Sequence, residues 1–221
     1  MIKAVIFDMD GVIVDSEPLW EKEFTTYLKQ LGKNLPQNKS FDRFVNTKIR
    51  GKNQKQVTAI FRKKFGLKGS YQKIMRDRLK ILFSIFNKEL KTIPGAIPLM
   101  KKLHKRKYPL VLASSSPKPV IHYILSRYKL KKYFKAVISG DDFTRAKPHP
   151  EIFLKCARLF REKPKNILVI EDSINGVKAA KKAGMKCIAL KQSYTPYKRI
   201  KSADLIVKSL SKITLSTIKN L

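Results

Sequence analysis

Short aliphatic runs alternate along this chain with stretches of helical hydrophobic period. The runs suit strands of a parallel sheet that is buried on both faces, and the stretches between them suit amphipathic helices. This alternation predicts an α/β fold with a doubly wound, mostly parallel sheet. The predicted strands are residues 2–7, 109–113, 136–139, 167–171, 187–190 and 205–207, and the predicted helices are 97–105, 119–127, 150–160, 174–183 and 212–220.

Residues from about 17 to 90 follow a different pattern. Three stripes of aromatic and aliphatic residues recur there at helical spacing, and no strand pattern interrupts them. Such stripes are typical of the core of a small helical bundle. We therefore predict two domains. Residues 1–16 and 91–221 would form a Rossmann-like α/β core, and residues 17–90 would form an inserted all-helical domain.

Acidic residues are scarce, and they are clustered. The 221 residues include 49 Lys and Arg but only 16 Asp and Glu, a formal net charge of +33. Clusters that persist in so basic a chain indicate a chemical requirement. Three short segments hold nine of the 16 acids: Asp8, Asp10, Asp15, Glu17, Asp141, Asp142, Glu151, Glu171 and Asp172.

The high positive charge permits two interpretations. Such a surface attracts polyanions and steers anionic small molecules towards a cleft, or it reflects a lysine-rich composition spread over solvated helix faces. Basic residues run throughout the chain and accompany no recognisable nucleic-acid-binding module, which favours the second interpretation. We therefore expect no nucleic-acid partner. We also expect a monomer, because strong self-repulsion opposes association.

The sequence carries no pattern of secretion or membrane insertion. Its apolar start is short and broken by aspartates, and no run approaches the roughly 20 apolar residues of a membrane span. Cys156 and Cys187 lie in apolar surroundings and far apart, which indicates buried, reduced thiols. We therefore expect no membrane partner and a cytoplasmic location, where thiols stay reduced.

Asp8 and Asp10 follow the first predicted strand directly. Side chains alternate along a strand, so both project to one side if the extended backbone continues past Phe7. Glu171 and Asp172 end another strand in the same way, and neighbouring strand ends lie about 5 Å apart. Ligands bind at this edge of open α/β sheets. Because grouped carboxylates repel unless a cation relieves them, we predict that the two pairs share a Mg²⁺ ion.

The spacing of the first two aspartates also permits a division of chemical labour. Asp8 can attack phosphorus and form an aspartyl-phosphate, while Asp10 can protonate the leaving oxygen and later take a proton from water. Gly11 lets the chain turn away without placing a side chain in the pocket. The alternative is that the segment is only a turn that caps a helix.

Two further segments supply groups that suit a phosphate. Ser114, at the end of a predicted strand, can offer a hydroxyl and a backbone N–H to a phosphate oxygen. Ser115 and Ser116 are expected to begin the next helix, whose N-terminus favours anions. Lys147 would neutralise charge on a transferring phosphoryl group. In isolation, serines before a proline are ordinary turn residues, and one lysine carries little weight in so basic a chain. The predicted phosphate-binding residues are Ser114, Ser115 and Lys147.

These segments together resemble the haloacid-dehalogenase-like superfamily of aspartate-nucleophile phosphotransferases, and the resemblance covers essentially the whole chain. It implies Asp8 as the nucleophile, Asp10 as the acid/base, and Ser114 with Lys147 as the phosphate-holding groups. The motifs occur in the expected order: DMDG at 8–11, Ser114, Lys147, and IEDSINGVKAAKKAGM around 171–172.

The resemblance also implies a metal site and a moving domain. Mg²⁺ would be bound by Asp8, by the backbone carbonyl of Asp10 and by Asp172. Glu171 would be a further ligand or a partner of the ligands. The helical insertion at 17–90 resembles the mobile cap that closes over the site of such enzymes, excludes water and selects the substrate.

Within the superfamily, the chain is most similar to the branch of β-phosphoglucomutase and small sugar-phosphate phosphatases. Mutases usually carry a histidine near the cap hinge and an arginine shortly after a cap glycine. Here Trp20 stands at the first position, and Gly51 is followed by Gln54 near the second. Arg50 and Lys52 are available as substitutes. Since this pattern is incomplete, and hydrolysis needs only water as the second acceptor, we expect a phosphatase acting on a small phosphomonoester, a sugar phosphate.

Other functions stay open at this point. A mutase of the β-phosphoglucomutase type would have to retain and turn a bisphosphate. A dehalogenase would attack carbon and would gain nothing from Asp10 or from the acidic pair at 171–172. A non-catalytic polyanion- or nucleic-acid-binding protein on a hydrolase scaffold would account for the charge, although every element of the reaction site is present. Trp20 is expected in the core or as a lid over a sugar face.

Overall fold

A six-stranded parallel sheet forms the centre of the molecule. This computed structural model describes residues 1–34, 44, 49 and 52–221. The strands are β1 (Ala4–Phe7), β2 (Leu110–Ser114), β3 (Ala136–Ser139), β4 (Ile167–Glu171), β5 (Lys186–Leu190) and β6 (Leu205–Val207). Their order is β3-β2-β1-β4-β5-β6, and every neighbouring pair is parallel. The predicted doubly wound α/β sheet is thereby confirmed.

Helices precede or follow the strands as the alternation predicted. All six predicted strands are present, with ends within two residues of those expected. The predicted helices 97–105, 119–127, 150–160 and 174–183 are also present, with ends within one residue. The last helix is shorter than predicted because a 3₁₀ turn, Leu210–Lys212, precedes it. The helices are α1 (Glu17–Gln30), α2 (Gln54–Phe65), α3 (Tyr71–Glu89), α4 (Ala96–Lys105), α5 (Lys118–Arg127), α6 (Glu151–Phe160), α7 (Ile174–Lys182), α8 (Tyr197–Ile200) and α9 (Leu215–Lys219).

The sheet is buried on both faces because alternate side chains of each strand point to opposite layers. In β1, Val5 and Phe7 belong to one apolar cluster, with α4 and α5, and Ala4 and Ile6 belong to another, with α6 and α7. Cys187 lies in the second cluster, and both cysteines are buried and free, as expected. No helix in the described ranges is long and apolar enough to cross a membrane.

The described part of residues 17–90 is helical and has an apolar cluster of its own. Side chains of α1, α2 and α3 form this cluster, in which the rings of Phe24 and Phe61 stack 3.9 Å apart. Each of the three predicted stripes contributes to this cluster, whereas Leu82, Ile85 and Phe86 of α3 belong to the larger cluster of the sheet. Trp20 packs elsewhere: its ring meets Phe86 edge-on and contacts the larger cluster of the sheet.

One buried ion pair ties α1 to α3. Arg78 donates from Nε and Nη2 to the two carboxylate oxygens of Glu23, at 2.9 and 2.7 Å, and from Nη1 to Gln54 Oε1 at 3.1 Å. The guanidinium also lies 5.1 Å from the centre of the Phe24 ring. Both charged side chains are almost fully buried. Removing only one partner of such a pair strongly destabilises the folded protein, because the other charge is left buried without compensation.

We expect Glu23→Gln to lower the free energy of unfolding by about 3 kcal/mol. The matched control is Glu89→Gln, which removes the partner of Lys22 in an exposed ion pair and should change stability by less than about 1 kcal/mol. Urea unfolding of both variants measures the difference. Equal losses would show that burial of the Glu23–Arg78 pair has no energetic weight.

Candidate active site

The carboxyl ends of three adjacent strands bring the predicted acids together. β1 leads into Asp8, β2 ends at Ser114, and β4 ends at Glu171, which Asp172 follows. β1 is where the winding reverses, since β2 lies on one side of it and β4 on the other. Open α/β sheets bind ligands at such a switch point. The fold therefore places these side chains where a site is expected.

Three carboxylates and one lysine form the centre of the site. Oxygens of Asp8, Glu171 and Asp172 lie within 4.8 Å of one another, and all three side chains are buried. Lys147 Nζ, which is also buried, lies 2.7 Å from Asp8 Oδ1 and 2.6 Å from Glu171 Oε1. One cation therefore faces three carboxylates, so negative charge is in excess.

The pKa values of these groups reflect that imbalance. Burial raises the pKa of Asp8 well above its usual value, and the charges of Glu171 and Asp10 add to the effect while Lys147 opposes it. Burial likewise raises the pKa of Asp172, with Glu171 as the next contributor. Burial alone would lower the pKa of Lys147, but Asp8 and Glu171 outweigh it and raise the pKa.

This donor set fits a hard dication. Asp8, Glu171 and Asp172 offer only oxygen ligands, which Mg²⁺ prefers. Further positive charge would also favour the ionised form of the two carboxylates whose pKa is raised. The side chain of Asp10 is engaged otherwise, and the ligand predicted from that residue is its backbone carbonyl.

Glu171 is held by the start of α7. Its Oε2 accepts hydrogen bonds from the backbone N–H groups of Asp172 and Ser173, both at 2.9 Å, and from the Ser173 hydroxyl at 3.0 Å. A Cβ at Gly176 would overlap the Glu171 carboxylate. Sequence reasoning assigned no role to Gly176, although a glycine inside a helix is a signal that something packs closely against the backbone.

The carboxylate of Asp10 is held by four donors. Oδ1 accepts from Ser16 Oγ at 2.6 Å and from the Trp20 indole Nε1 at 3.3 Å. Oδ2 accepts from Ser116 Oγ at 2.7 Å and from Ser114 Oγ at 3.1 Å. Ser114, predicted to bind phosphate, thus contacts Asp10. Ser16 and Ser116 were not predicted as site residues; the run of three serines was a signal for Ser116 but not for Ser16.

A cavity of about 110 Å³ lies over these groups. From the side of the sheet, the lining residues are Asp8, Asp10, Ser115, Ser116, Lys147, Glu171, Asp172 and Ser173. Trp20, which is partly buried and packs against the apolar cluster of the sheet, also lines the cavity. Arg50 and Gly51, from the comparison with mutases, lie outside the described residues. From the helices and their connections, the lining residues are Glu17, Trp20, Glu21, Phe24, Ile49, Lys52, Gln54, Val57, Phe61 and Arg78.

The family of the chain is shown by its sequence. The profile of the family described as haloacid dehalogenase-like hydrolase matches residues 5–190, a range that includes every predicted site residue. The chain belongs to this family, which confirms the resemblance drawn from the motifs.

Relatives narrow the class of enzyme. The phosphorylated carbohydrates phosphatase of Thermotoga maritima is 32% identical over 187 residues, which cover 85% of this chain and 84% of that protein. Hexitol phosphatase B of Escherichia coli K12 is 27% identical over 215 residues, 96% and 95% of the two chains. Family and relatives together support a phosphoric monoester hydrolase.

A solved structure has the same fold. The crystal structure of CbbY from Rhodobacter sphaeroides in complex with phosphate matches with a TM-score of 0.85 at 23% identity, and the match covers 99% of this chain and 100% of that one. The match therefore covers almost the whole length of both chains.

With divalent cations chelated, we expect Asp172→Asn to raise Tm at pH 8. A carboxyl whose pKa is raised by folding binds its proton more tightly in the folded state. Its contribution to stability is therefore present below the unfolded pKa of about 4 and is lost as the pH rises through the folded pKa. The Asp172→Asn variant carries no charge to desolvate at pH 8, so it does not lose this stability. Each kcal/mol gained in the free energy of unfolding raises Tm by about 2–4 °C. Thermal unfolding at pH 5 and pH 8 measures the effect.

Asp204→Asn is the matched control. Burial by itself would raise the pKa of Asp204, but the hydrogen bonds from Lys181 and from the backbone N–H of Cys187 outweigh it and lower the pKa. Its charge therefore stabilises the folded state above the unfolded pKa, and its removal should lower Tm at pH 8. A chelated Asp172→Asn protein that melts below wild type at pH 8 would contradict the electrostatic account.

Proposed function

We propose that this protein is a Mg²⁺-dependent phosphatase that hydrolyses a small phosphomonoester, a sugar phosphate, through an aspartyl-phosphate on Asp8. The observation that carries the proposal is the buried group of Asp8, Glu171 and Asp172, of which the first two pair with Lys147, at the edge of the sheet and open to a cavity. The substrate class is supported by two relatives whose names specify phosphorylated carbohydrates and a hexitol phosphate.

Asp8 acts as the nucleophile. Lys147 is bound at its Oδ1, which leaves Oδ2 to form the bond to phosphorus as the bond to the leaving oxygen breaks. Lys147 also neutralises charge on the phosphoryl oxygens, with Ser115, which lines the cavity, as a further donor, whereas the hydroxyl of Ser114 donates to Asp10. Mg²⁺ bound by Asp8, Glu171 and Asp172, with the Asp10 carbonyl, would supply the positive charge that binds the phosphate and relieves the carboxylates.

Asp10 acts as the acid and then as the base. Its protonated carboxyl gives a proton to the leaving oxygen in the first step, and the resulting carboxylate takes a proton from the water that hydrolyses the aspartyl-phosphate. The hydrogen bonds from Ser16, Ser116 and Trp20 keep this carboxyl at the cavity wall. Both half-reactions therefore use one pair of aspartates.

Residues 17–90 act as a cap on the core formed by 1–16 and 91–221. The cap has its own apolar cluster, as a separate domain requires, and it supplies most of the wall opposite the carboxylates. Cap closure over such a site would exclude water and select the leaving group. Trp20, Gln54 and Lys52 are positioned to contact that group.

The cap wall favours hydrolysis over a mutase reaction. A mutase must hold a second phosphate, which calls for positive charge on the cap. Arg78 lines the cavity, but Glu23 neutralises it, and Trp20 stands where mutases carry a histidine. In the part of the chain that the structure describes, Lys52 is the remaining basic residue of the cap wall.

Phosphate release from a panel of sugar phosphates and polyol phosphates should require Mg²⁺ and Asp8. We expect Asp8→Asn to lower turnover by at least about 10³-fold, because it removes the nucleophile. Asp15→Asn, which changes an exposed acid nearby, should leave turnover close to wild type. Turnover that survives Asp8→Asn or chelation of divalent ions would refute the mechanism.

The covalent intermediate should accumulate in Asp10→Asn supplied with p-nitrophenyl phosphate and Mg²⁺. This leaving group needs no proton, whereas attack by water on the aspartyl-phosphate does need the base. We expect a burst of about one p-nitrophenol per chain and phosphate on the protein that hydroxylamine removes. The double variant Asp8→Asn/Asp10→Asn should give no burst. A wild-type-like steady rate without bound phosphate would contradict the two-step mechanism.

The same panel separates the remaining functions. Conversion of β-glucose 1-phosphate to glucose 6-phosphate without net phosphate release would identify a mutase. Salt-sensitive nucleic-acid binding without turnover of any phosphomonoester would identify a polyanion-binding protein.

A further inference from the structure

The segment that follows β5 sends two polar side chains to the edge of the site. Gln192 Nε2 donates to the backbone carbonyl of Gly11 at 2.6 Å, and the Tyr194 hydroxyl donates to Asp172 Oδ2 at 2.9 Å. We propose that Tyr194 is a positioning residue that occupies Oδ2 of Asp172, so that this carboxylate binds the divalent ion through Oδ1 alone and the site favours Mg²⁺ over Ca²⁺. The inference rests on the metal dependence proposed above.

The sheet brings these groups together. β5 pairs with β4, with Ala189 opposite Glu171, so the chain beyond β5 runs beside the chain beyond β4. Gly11 completes the contact from the end of β1. Its backbone has a φ of +76°, and a Cβ there would overlap the Asp172 carboxylate and lie 2.6 Å from the Tyr194 hydroxyl. Three strand ends therefore enclose Asp172, and its orientation is restricted.

A phenol is a suitable partner for a carboxylate that binds a metal ion. Asp8 and Glu171 share the charge of Lys147, whereas no ion pair within the described ranges includes Asp172. The neutral hydroxyl of Tyr194 satisfies one carboxylate oxygen and adds no positive charge that would repel the metal ion. Hydrogen bonds of this kind orient ligands, and losing one typically weakens metal binding about 10–100-fold.

The occupied oxygen also bears on the choice of metal. Mg²⁺ requires nearly ideal octahedral geometry and short bonds, which monodentate carboxylates provide, whereas Ca²⁺ accepts six to eight ligands and bidentate carboxylates. With Oδ2 engaged by Tyr194, Asp172 is held to the monodentate mode. Removing the hydroxyl frees Oδ2. The Asp172 carboxylate is then less well oriented for Mg²⁺, whereas Ca²⁺ can use the second oxygen as an additional ligand.

The test is calorimetric titration of the metal-free protein with Mg²⁺ and with Ca²⁺, for wild type and Tyr194→Phe. We expect the Kd for Mg²⁺ to rise by about 10-fold or more and the Kd for Ca²⁺ to change much less, so that the preference for Mg²⁺, measured as the Kd for Ca²⁺ divided by the Kd for Mg²⁺, falls. Tyr197→Phe, an exposed tyrosine of the same region, is the control and should change neither. Tm of the metal-free proteins, measured in parallel, detects any loss of packing around residue 194.

Each other outcome overturns the inference. An unchanged Kd for Mg²⁺ in Tyr194→Phe would show that the hydrogen bond does not orient Asp172. An equal rise of the Kd values for Mg²⁺ and Ca²⁺ would show that the hydroxyl does not select between the two metals. If wild type binds Mg²⁺ and only the effect of Tyr194→Phe is missing, the proposed function stands. If wild type binds no Mg²⁺, the metal-dependent function fails together with this inference.

Discussion

An excess of buried carboxylate over buried positive charge at one edge of the sheet is the constraint on which this structure depends. Asp8, Glu171 and Asp172 lie within 4.8 Å of one another, and Lys147 compensates only part of their charge. Such an arrangement costs stability in the absence of a further cation. The surrounding chain is built to hold it: backbone N–H groups at the start of α7 bind Glu171, and glycines leave room where a side chain would collide.

The rest of the fold supplies the rigidity that this site requires. Apolar layers cover both faces of the sheet, so the ends of β1, β2 and β4 keep their positions despite the repulsion between the side chains they carry. The helices of the insertion have a separate apolar cluster and a buried ion pair between Glu23 and Arg78. In that pair, the carboxylate of Glu23 compensates the positive charge of the Arg78 guanidinium at the cavity wall.

Local pattern predicted the strands, the order of strand and helix, and the acids at the strand ends. These features can be predicted because hydrophobic periodicity and the residues that directly follow a strand are local properties of a sequence. The hydrogen-bond partners of Asp10 are different. Ser116 and Ser16 approach it from positions 106 and six residues away, and neither stands in a pattern that distinguishes it from an ordinary turn or capping serine. Ser114 was expected to face a phosphate, and its hydroxyl contacts Asp10.

By itself, the sequence determined that the chain is a doubly wound α/β protein with Asp8, Ser114 and Glu171-Asp172 at or directly after strand ends. Hydrophobic period and the order of motifs can be recognised without knowledge of contacts. Only the tertiary structure decided which oxygen of each carboxylate is engaged and by whom. Tyr194 reaches Asp172, and Arg78 reaches Glu23, across 22 and 55 residues of chain. Such pairings arise where strand ends and helix faces meet in space. No local rule of spacing encodes them, since they depend on the sheet order and on the packing angles of whole elements.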